Sequence, residues 1–304
     1  MNAVEIDCVT KTFGKAVVAV DDLSLAVPAG TVYGFIGPNG SGKTTTLRMI
    51  MNILYPDRGS IRVFGAELHG ACTDRIGYMP EERGLYKKMK VRELLEFYGG
   101  LKRNGNVRGE VSRWLERLDL TDWANKKVEV LSKGMSQKVQ FIATVVAGPD
   151  LVILDEPFTG LDPVNTDVIR EAVLEFQSAG TTVIFSTHDM GMAEKMCDFI
   201  FMIFKGRKVL DGTLESIQSE YGSDTIRVRA ENGAGKITDI EGVERINNYG
   251  RYQELRVAGD RDPHDILSTI MARTRVTSFE ITKPSLHDIF VRIAGEEARE
   301  VCNV

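Results

Sequence analysis

At 304 residues the chain has room for two domains, and 38 Lys plus Arg against 43 Asp plus Glu leave a formal charge of −5, which argues against bulk nucleic-acid binding. Cys8, Cys72, Cys197 and Cys302 are scattered without C-x-x-C spacing, so a reducing compartment is expected and disulfides or structural zinc are not. Met1-Asn2-Ala3-Val4-Glu5 lacks the order of a secretory signal, and no apolar run nears the roughly 18 residues that cross a bilayer. The expectation is a cytoplasmic protein whose membrane contact comes only through a partner.

Val4, Ile6 and Cys8 alternate with polar residues as in a half-buried strand, and residues 23–27 predict a second strand closed by Pro28-Ala29-Gly30. Phe13 lies between them, where core packing and stacking on a planar base are both open to it. The run Tyr33-Gly34-Phe35-Ile36 suits a buried strand, and Gly37-Pro38-Asn39-Gly40-Ser41-Gly42-Lys43-Thr44-Thr45 follows it, ahead of a helical stretch. Strand, glycine-rich loop, helix is the context of a phosphate-binding loop. Its glycines let successive N–H groups turn inward as an anion nest, Lys43 reaches the β- and γ-phosphates, and the Thr44 hydroxyl holds Mg²⁺. The motif arises by chance in a chain this long on the order of once in 100 sequences.

Strands follow at 60–64 and 76–79, the latter ending at Pro80-Glu81. From 88 to 147 the apolar spacing becomes helical, at Val91, Leu94, Leu95 and Tyr98, then Val111, Trp114, Leu115 and Leu118, with a break at 101–106. Ser132 and Gly134 open a helix rich in Val, Ile and Ala, either an ordinary N-cap or a second anion site. Residues 151–154 form an apolar strand ending in Asp155-Glu156: the first carboxylate can hold Mg²⁺ and the second can polarise an attacking water. Asp162 precedes a helix to about Gln177, and the strand 181–186 ends in Thr187-His188. His188 sits where α/β sheets place ligands, at the carboxyl end of a parallel strand, although a purely structural histidine competes with that role.

Strands at 199–203 and 208–210 close a first domain over 1–222. Beyond it, alternating stretches at 224–229, 252–257 and 276–281, a helix over 263–272 and a last helix near Leu286 predict a small α+β domain over 223–304. Arg227, Arg229, Arg251 and Arg256 are interleaved with acids, which favours a solvated sheet face over a basic patch.

These motifs, in this order and spacing, resemble the ATP-binding cassette (ABC) ATPases from residue 4 to about 220. The resemblance implies an α/β P-loop NTPase fold with a mixed sheet core, a helical subdomain at about 88–147 and the small C-terminal domain. It implies ATP and Mg²⁺ as cofactors, Phe13 packed on adenine and residues 37–45 around the phosphates. It makes Asp155 the magnesium carboxylate, Glu156 the general base and His188 the sensor of the γ-phosphate. Ser132 and Gly134 would touch the γ-phosphate held by the other protomer, with Asp162 in the loop crossing the interface. The partners implied are a second copy of the chain, closing head to tail around two ATP molecules, and separate permease subunits that hold the pair on the inner face of the membrane.

Two motifs depart from the family pattern, at three positions. Glu81 stands where glutamine is usual and could ligate Mg²⁺, and Lys133 and Met135 replace Gly and Gln in the signature. Together with Glu81-Glu82-Arg83-Gly84-Leu85-Tyr86 these resemble the sodium-export-like branch of ABC-2 exporters. A soluble ABC ATPase acting on ribosome or DNA is the competing class. It is disfavoured by the single phosphate loop and by the absence of sustained heptads between Lys43 and Ser132.

Overall fold

Strands that are buried on both faces have to read as continuous apolar runs, and four such runs build the centre of this protein. In a computed structural model they are β3 (Val32–Ile36), β7 (Leu151–Asp155), β8 (Thr182–Thr187) and β9 (Phe199–Phe204). The structure describes residues 1–14, 17–67, 74–82, 84–102, 106–221, 225–231, 237–258 and 261–301, with side chains to 295. Cys72, Arg83, Cys302, the middle of the helix break and the expected start of the second domain at 223–224 lie outside the described residues.

The chain divides into two units, Met1–Thr213 and Leu214–Val304, so contacts divide it earlier than the composition change at 222. In the first unit β6 (Ile76–Met79) and β10 (Arg207–Gly212) complete a six-stranded sheet. Its order is β10-β9-β3-β8-β7-β6, parallel except for β10. An antiparallel sheet of β1 (Asn2–Phe13), β2 (Val17–Pro28), β4 (Arg58–Val63) and the short β5 (Ala66–Glu67) packs with helix α1 (Lys43–Ile50) on one face. Ile6, Leu23, Leu47 and Ile153 share that core.

The opposite face carries α2 (Val91–Lys102), α3 (Arg108–Arg117), α4 (Lys133–Val145) and α5 (Pro163–Ser178). Their stripe of Leu94, Trp114, Phe141 and Val173 meets Val152 and Leu154, the alternate residues of β7. Alternation along one strand thus feeds both cores. A short helix α6 (Met190–Met196), absent from the sequence-based expectation, follows His188 and is capped by Asp189.

The second unit starts with α7 (Leu214–Glu220) and holds β11 (Thr225–Ala230), β12 (Val243–Asn248), β13 (Gln253–Val257), α8 (Pro263–Arg273), β14 (Val276–Thr282) and α9 (Leu286–Val301). Its antiparallel sheet runs β12-β13-β11-β14, with Ile226, Val228, Leu255 and Ile270 in its core. Arg227 spans to Glu254 at 2.9 Å and Arg256 to Glu244 at 3.2 Å, so these cations are paired along the sheet. No helix among the described residues is long and apolar enough to cross a membrane.

Candidate active site

The carboxyl ends of β3, β8, β7 and β6 are neighbours, because the strands are parallel and adjacent in that order. Each delivers one chemical group to the same edge, where open α/β sheets bind ligands. After β3 comes the glycine-rich loop, after β7 the Asp155-Glu156 pair, after β8 His188, and after β6 Glu81.

Two glycines in the loop are obligatory. Gly37 has φ 155°, and a Cβ there would lie 2.2 Å from the carbonyl oxygen of Ile203. Gly42, the residue before α1, has φ 112°, and its Cβ would meet the Ala19 carbonyl oxygen at 2.5 Å. The loop frames a cavity of about 270 Å³ lined by Asn39, Gly40, Gly42, Lys43, Thr44 and Thr45, with Glu81 and Glu156 on its wall. The Ser41 hydroxyl, in the same loop, is buried without a hydrogen-bond partner.

Lys43 donates to the carbonyls of Gly37 at 2.6 Å and Pro38 at 3.1 Å, and its ammonium lies 3.7 Å from Glu156 Oε1. Burial lowers the Lys43 pKa, and the charges of Glu156 and Asp155 oppose that shift. A phosphate entering the loop offers this ammonium stronger acceptors than the two carbonyls it holds.

Asp155 is fully buried and accepts through Oδ1 from Ser186 Oγ at 2.5 Å and from Thr44 Oγ1 at 3.2 Å. Its other oxygen, Oδ2, is buried with no hydrogen-bond partner. Burial raises the Asp155 pKa, against the donors Ser186 and Thr44. An orphaned carboxylate oxygen beside a threonine hydroxyl is a donor set for a hard divalent cation, which Mg²⁺ fits. Glu156 is 7% exposed and holds φ at 50°, a strained value for a residue with a Cβ. Both its oxygens lie 3.1 Å from His188 Nδ1, and Thr159 Oγ1 donates to Oε2 at 3.2 Å. The carboxylate is therefore aimed by its neighbours rather than left to rotate.

Several supports had no sequence signal. Ser186 faces Asp155 across the β7–β8 register and also accepts from the Glu156 amide at 2.9 Å. Two glutamines of α4 brace the acidic loops, Gln137 donating to Pro157 O at 3.1 Å and Gln140 to Pro80 O at 2.8 Å. Their targets lie 20 and 60 residues away, beyond any local sequence pattern.

The remaining candidates lie away from the cavity wall. Phe13 ends β1 with 42% of its surface exposed, and Lys11 Nζ stands 5.8 Å from its ring centre. Ser132 caps α4 by accepting from Met135 N at 3.2 Å, and Asp162 caps α5 by accepting from Asn165 N at 2.9 Å. Gly134 faces Leu161 and Asn165, so Ser132, Gly134 and Asp162 form a second cluster, none of them lining the cavity around Lys43.

Comparisons with known proteins find relatives along most of the chain. Residues 20–159 match the family model described as ABC transporter, and residues 212–294 match the ATP-binding protein DrrA1-3-like C-terminal domain. An uncharacterized ABC transporter ATP-binding protein of Bacillus subtilis (strain 168), YhaQ, is 40% identical, the match covering 95% of this chain and 98% of that protein. The daunorubicin resistance ATP-binding protein DrrA3 of Streptomyces coeruleorubidus is 31% identical over 98% of this chain and 97% of that one. A solved ATP binding subunit of an ABC transporter superposes with TM-score 0.68 and 28% identity, covering 72% of this chain and 93% of that chain.

Proposed function

The chain belongs to the ABC transporter family as an ATP-binding, ATP-hydrolysing subunit of the exporter type, and from that premise we propose how its residues share the work. Phe13 stacks on the adenine, the loop 37–45 wraps the phosphates, and Lys43 leaves its own carbonyls for the β- and γ-phosphates. Thr44 and Asp155 hold Mg²⁺, with Glu81 at the same cavity as a further oxygen donor. When bound, the cation neutralises charge on the β- and γ-phosphates. Glu156 accepts the proton of a water attacking the γ-phosphorus, releasing ADP and phosphate, and His188 orients Glu156 and senses the γ-phosphate.

The observation that supports this best is the buried Glu156 carboxylate, held between Lys43 and His188 at a strained backbone position. Ser132, Gly134 and Asp162 serve the partner protomer's ATP, because they form a polar cluster of their own outside the chain's own cavity. Two copies then close head to tail. Mixing tests this. A Lys43→Ala chain and a Ser132→Arg chain each fail to retain tightly held ATP, and their mixture regains one occupied site per pair. A mixture as empty as its components refutes the shared site.

The pair is proposed to sit on the inner face of the membrane, docked to separate permease subunits. A cavity of about 190 Å³ opens between β6 and helices α2 and α4, lined by Pro80, Leu85, Tyr98, Leu101 and Ala143. Tyr86 and Phe97, exposed and 6.0 Å apart edge to face, both pack on Tyr98 of its lining. This apolar mouth beside the Glu81 loop is the docking surface for a permease segment. Leu85→Ser with Tyr86→Ser leaves ATP turnover of the isolated subunit intact and abolishes transport. Normal transport by that double variant removes the surface from the account.

A further inference from the structure

Alongside that docking surface, two segments far apart in sequence run antiparallel and bring their lysines together. Val91 N donates to Lys126 O, Arg92 N to Ala124 O, Val128 N to Met89 O and Glu129 N to Lys87 O, all at 2.9–3.0 Å, with Lys90 and Lys127 facing each other across the ladder. Lys87, Lys88, Lys90, Lys126 and Lys127 are all exposed. Residues 86–93 and 122–129 carry these five lysines and Arg92 against Glu93, Asp122 and Glu129, an excess of three positive charges in a chain of net charge −5. The pairing inside the patch is loose: Lys90 lies 3.6 Å from Glu93 and Lys127 3.5 Å from Glu129, with every partner about half exposed. Such pairs neutralise little in water. Tyr86, 56% exposed, and Phe97, 43% exposed, border the lysines with ring surfaces of the kind enriched at membrane–water interfaces.

We propose that this patch binds the anionic headgroups of the lipid bilayer directly, so that the subunit touches the membrane itself as well as its protein partner. Three features favour a lipid surface over an acidic protein. The charges are lysines, compact ammonium groups on long flexible stems, with no rigid guanidinium fork among the exposed ones. They lie on an exposed ladder and not in a groove that could read a peptide. The amphipathic Tyr86 stands at the junction of the lysines and the apolar mouth. The orientation of the patch towards the bilayer rests on the docking proposed above, since Lys87 and Lys88 follow directly on Leu85 and Tyr86; headgroup attraction acts only within about one Debye length, roughly 8 Å.

The test needs no permease. The purified full chain is floated with vesicles of phosphatidylcholine alone and with vesicles that also contain phosphatidylglycerol. Binding is expected only to the second kind and is expected to fall as salt is raised. A Lys87→Gln, Lys88→Gln, Lys126→Gln variant, with ATP turnover in solution unchanged, loses on the order of 100-fold in partition, since each lysine near an anionic surface is worth about fivefold. Equal binding to both vesicle types, or unchanged binding by the variant, overturns the proposal. So does polyglutamate that displaces the vesicles at equal charge concentration, which assigns the patch to an acidic protein. Vesicle binding and permease docking fail independently: loss of transport in the Leu85/Tyr86 variant says nothing of the lysines, and vesicles without permease say nothing of docking.

Discussion

Replacing Glu156 by glutamine isolates proton transfer from everything else the side chain does. The amide keeps the length and shape of the carboxylate, and Thr159 Oγ1 at 3.2 Å still finds an acceptor. His188 Nδ1, 3.1 Å from both oxygens in the wild type, likewise keeps a partner in one of its tautomers. The lost groups are the negative charge 3.7 Å from Lys43 and the proton-accepting lone pair. Lys43 retains Gly37 O and Pro38 O, so the fold changes by no more than about 1–2 kcal/mol. The chemical step loses the contribution of a positioned general base, about 10²–10⁴-fold, equivalent to about 3–5 kcal/mol in the barrier. ATP affinity stays the same or rises, because one negative charge near the phosphates is gone. Single-turnover phosphate release, with nucleotide binding and ATP-induced dimer formation measured on the same sample, separates these effects. Turnover within about tenfold of wild type refutes Glu156 as the base. Loss of ATP binding shows instead that its role is to hold the loop.

Two further outcomes follow from burial. The folded-state pKa of Asp155 is raised by burial above the unfolded value of about 3.9, so its ionised form costs the nucleotide-free protein stability above the folded pKa. That cost disappears as pH falls through the folded pKa, and the relief ends at the unfolded value. Melting temperatures of wild type and Asp155→Asn, taken without nucleotide from about pH 8 down to about pH 4, should therefore converge or cross in favour of wild type as pH drops. A wild type that loses ground on acidification contradicts the assigned environment. Burial pushes the Cys197 thiol well above its ordinary range, and Asp198 adds to the shift, whereas Cys8 is exposed. Alkylation followed by peptide mapping should label exposed Cys8 well before the partly buried Cys197, which labels fully only on unfolding. Early labelling of Cys197 means that the packing around Gly34 opens in solution.

The chemistry of this protein was legible in its sequence because each motif is local. The loop 37–45 declares itself by three glycines and a lysine between a strand and a helix, and Asp155-Glu156 by acids at the end of an apolar run. The central strands were equally legible, since their fully buried segments keep polar residues to the strand ends. Structures whose partners are distant in sequence were not. The short helix α6 carries too few residues for a period to emerge, and Ser186 reads as one more small residue in a strand until the β7–β8 register sets it against Asp155.

Residue types and local spacing determined, by themselves, that a triphosphate could be gripped and that acids stood ready beside it. Only the tertiary structure decided that β3, β8, β7 and β6 lie side by side, so that groups more than a hundred residues apart meet at one edge. It alone joined Lys87–Arg92 to the 124–129 segment and made one patch of two unremarkable charge runs. Strand order and long-range pairing are set by which apolar surfaces can be buried together, and that depends on the whole chain at once rather than on any window of it.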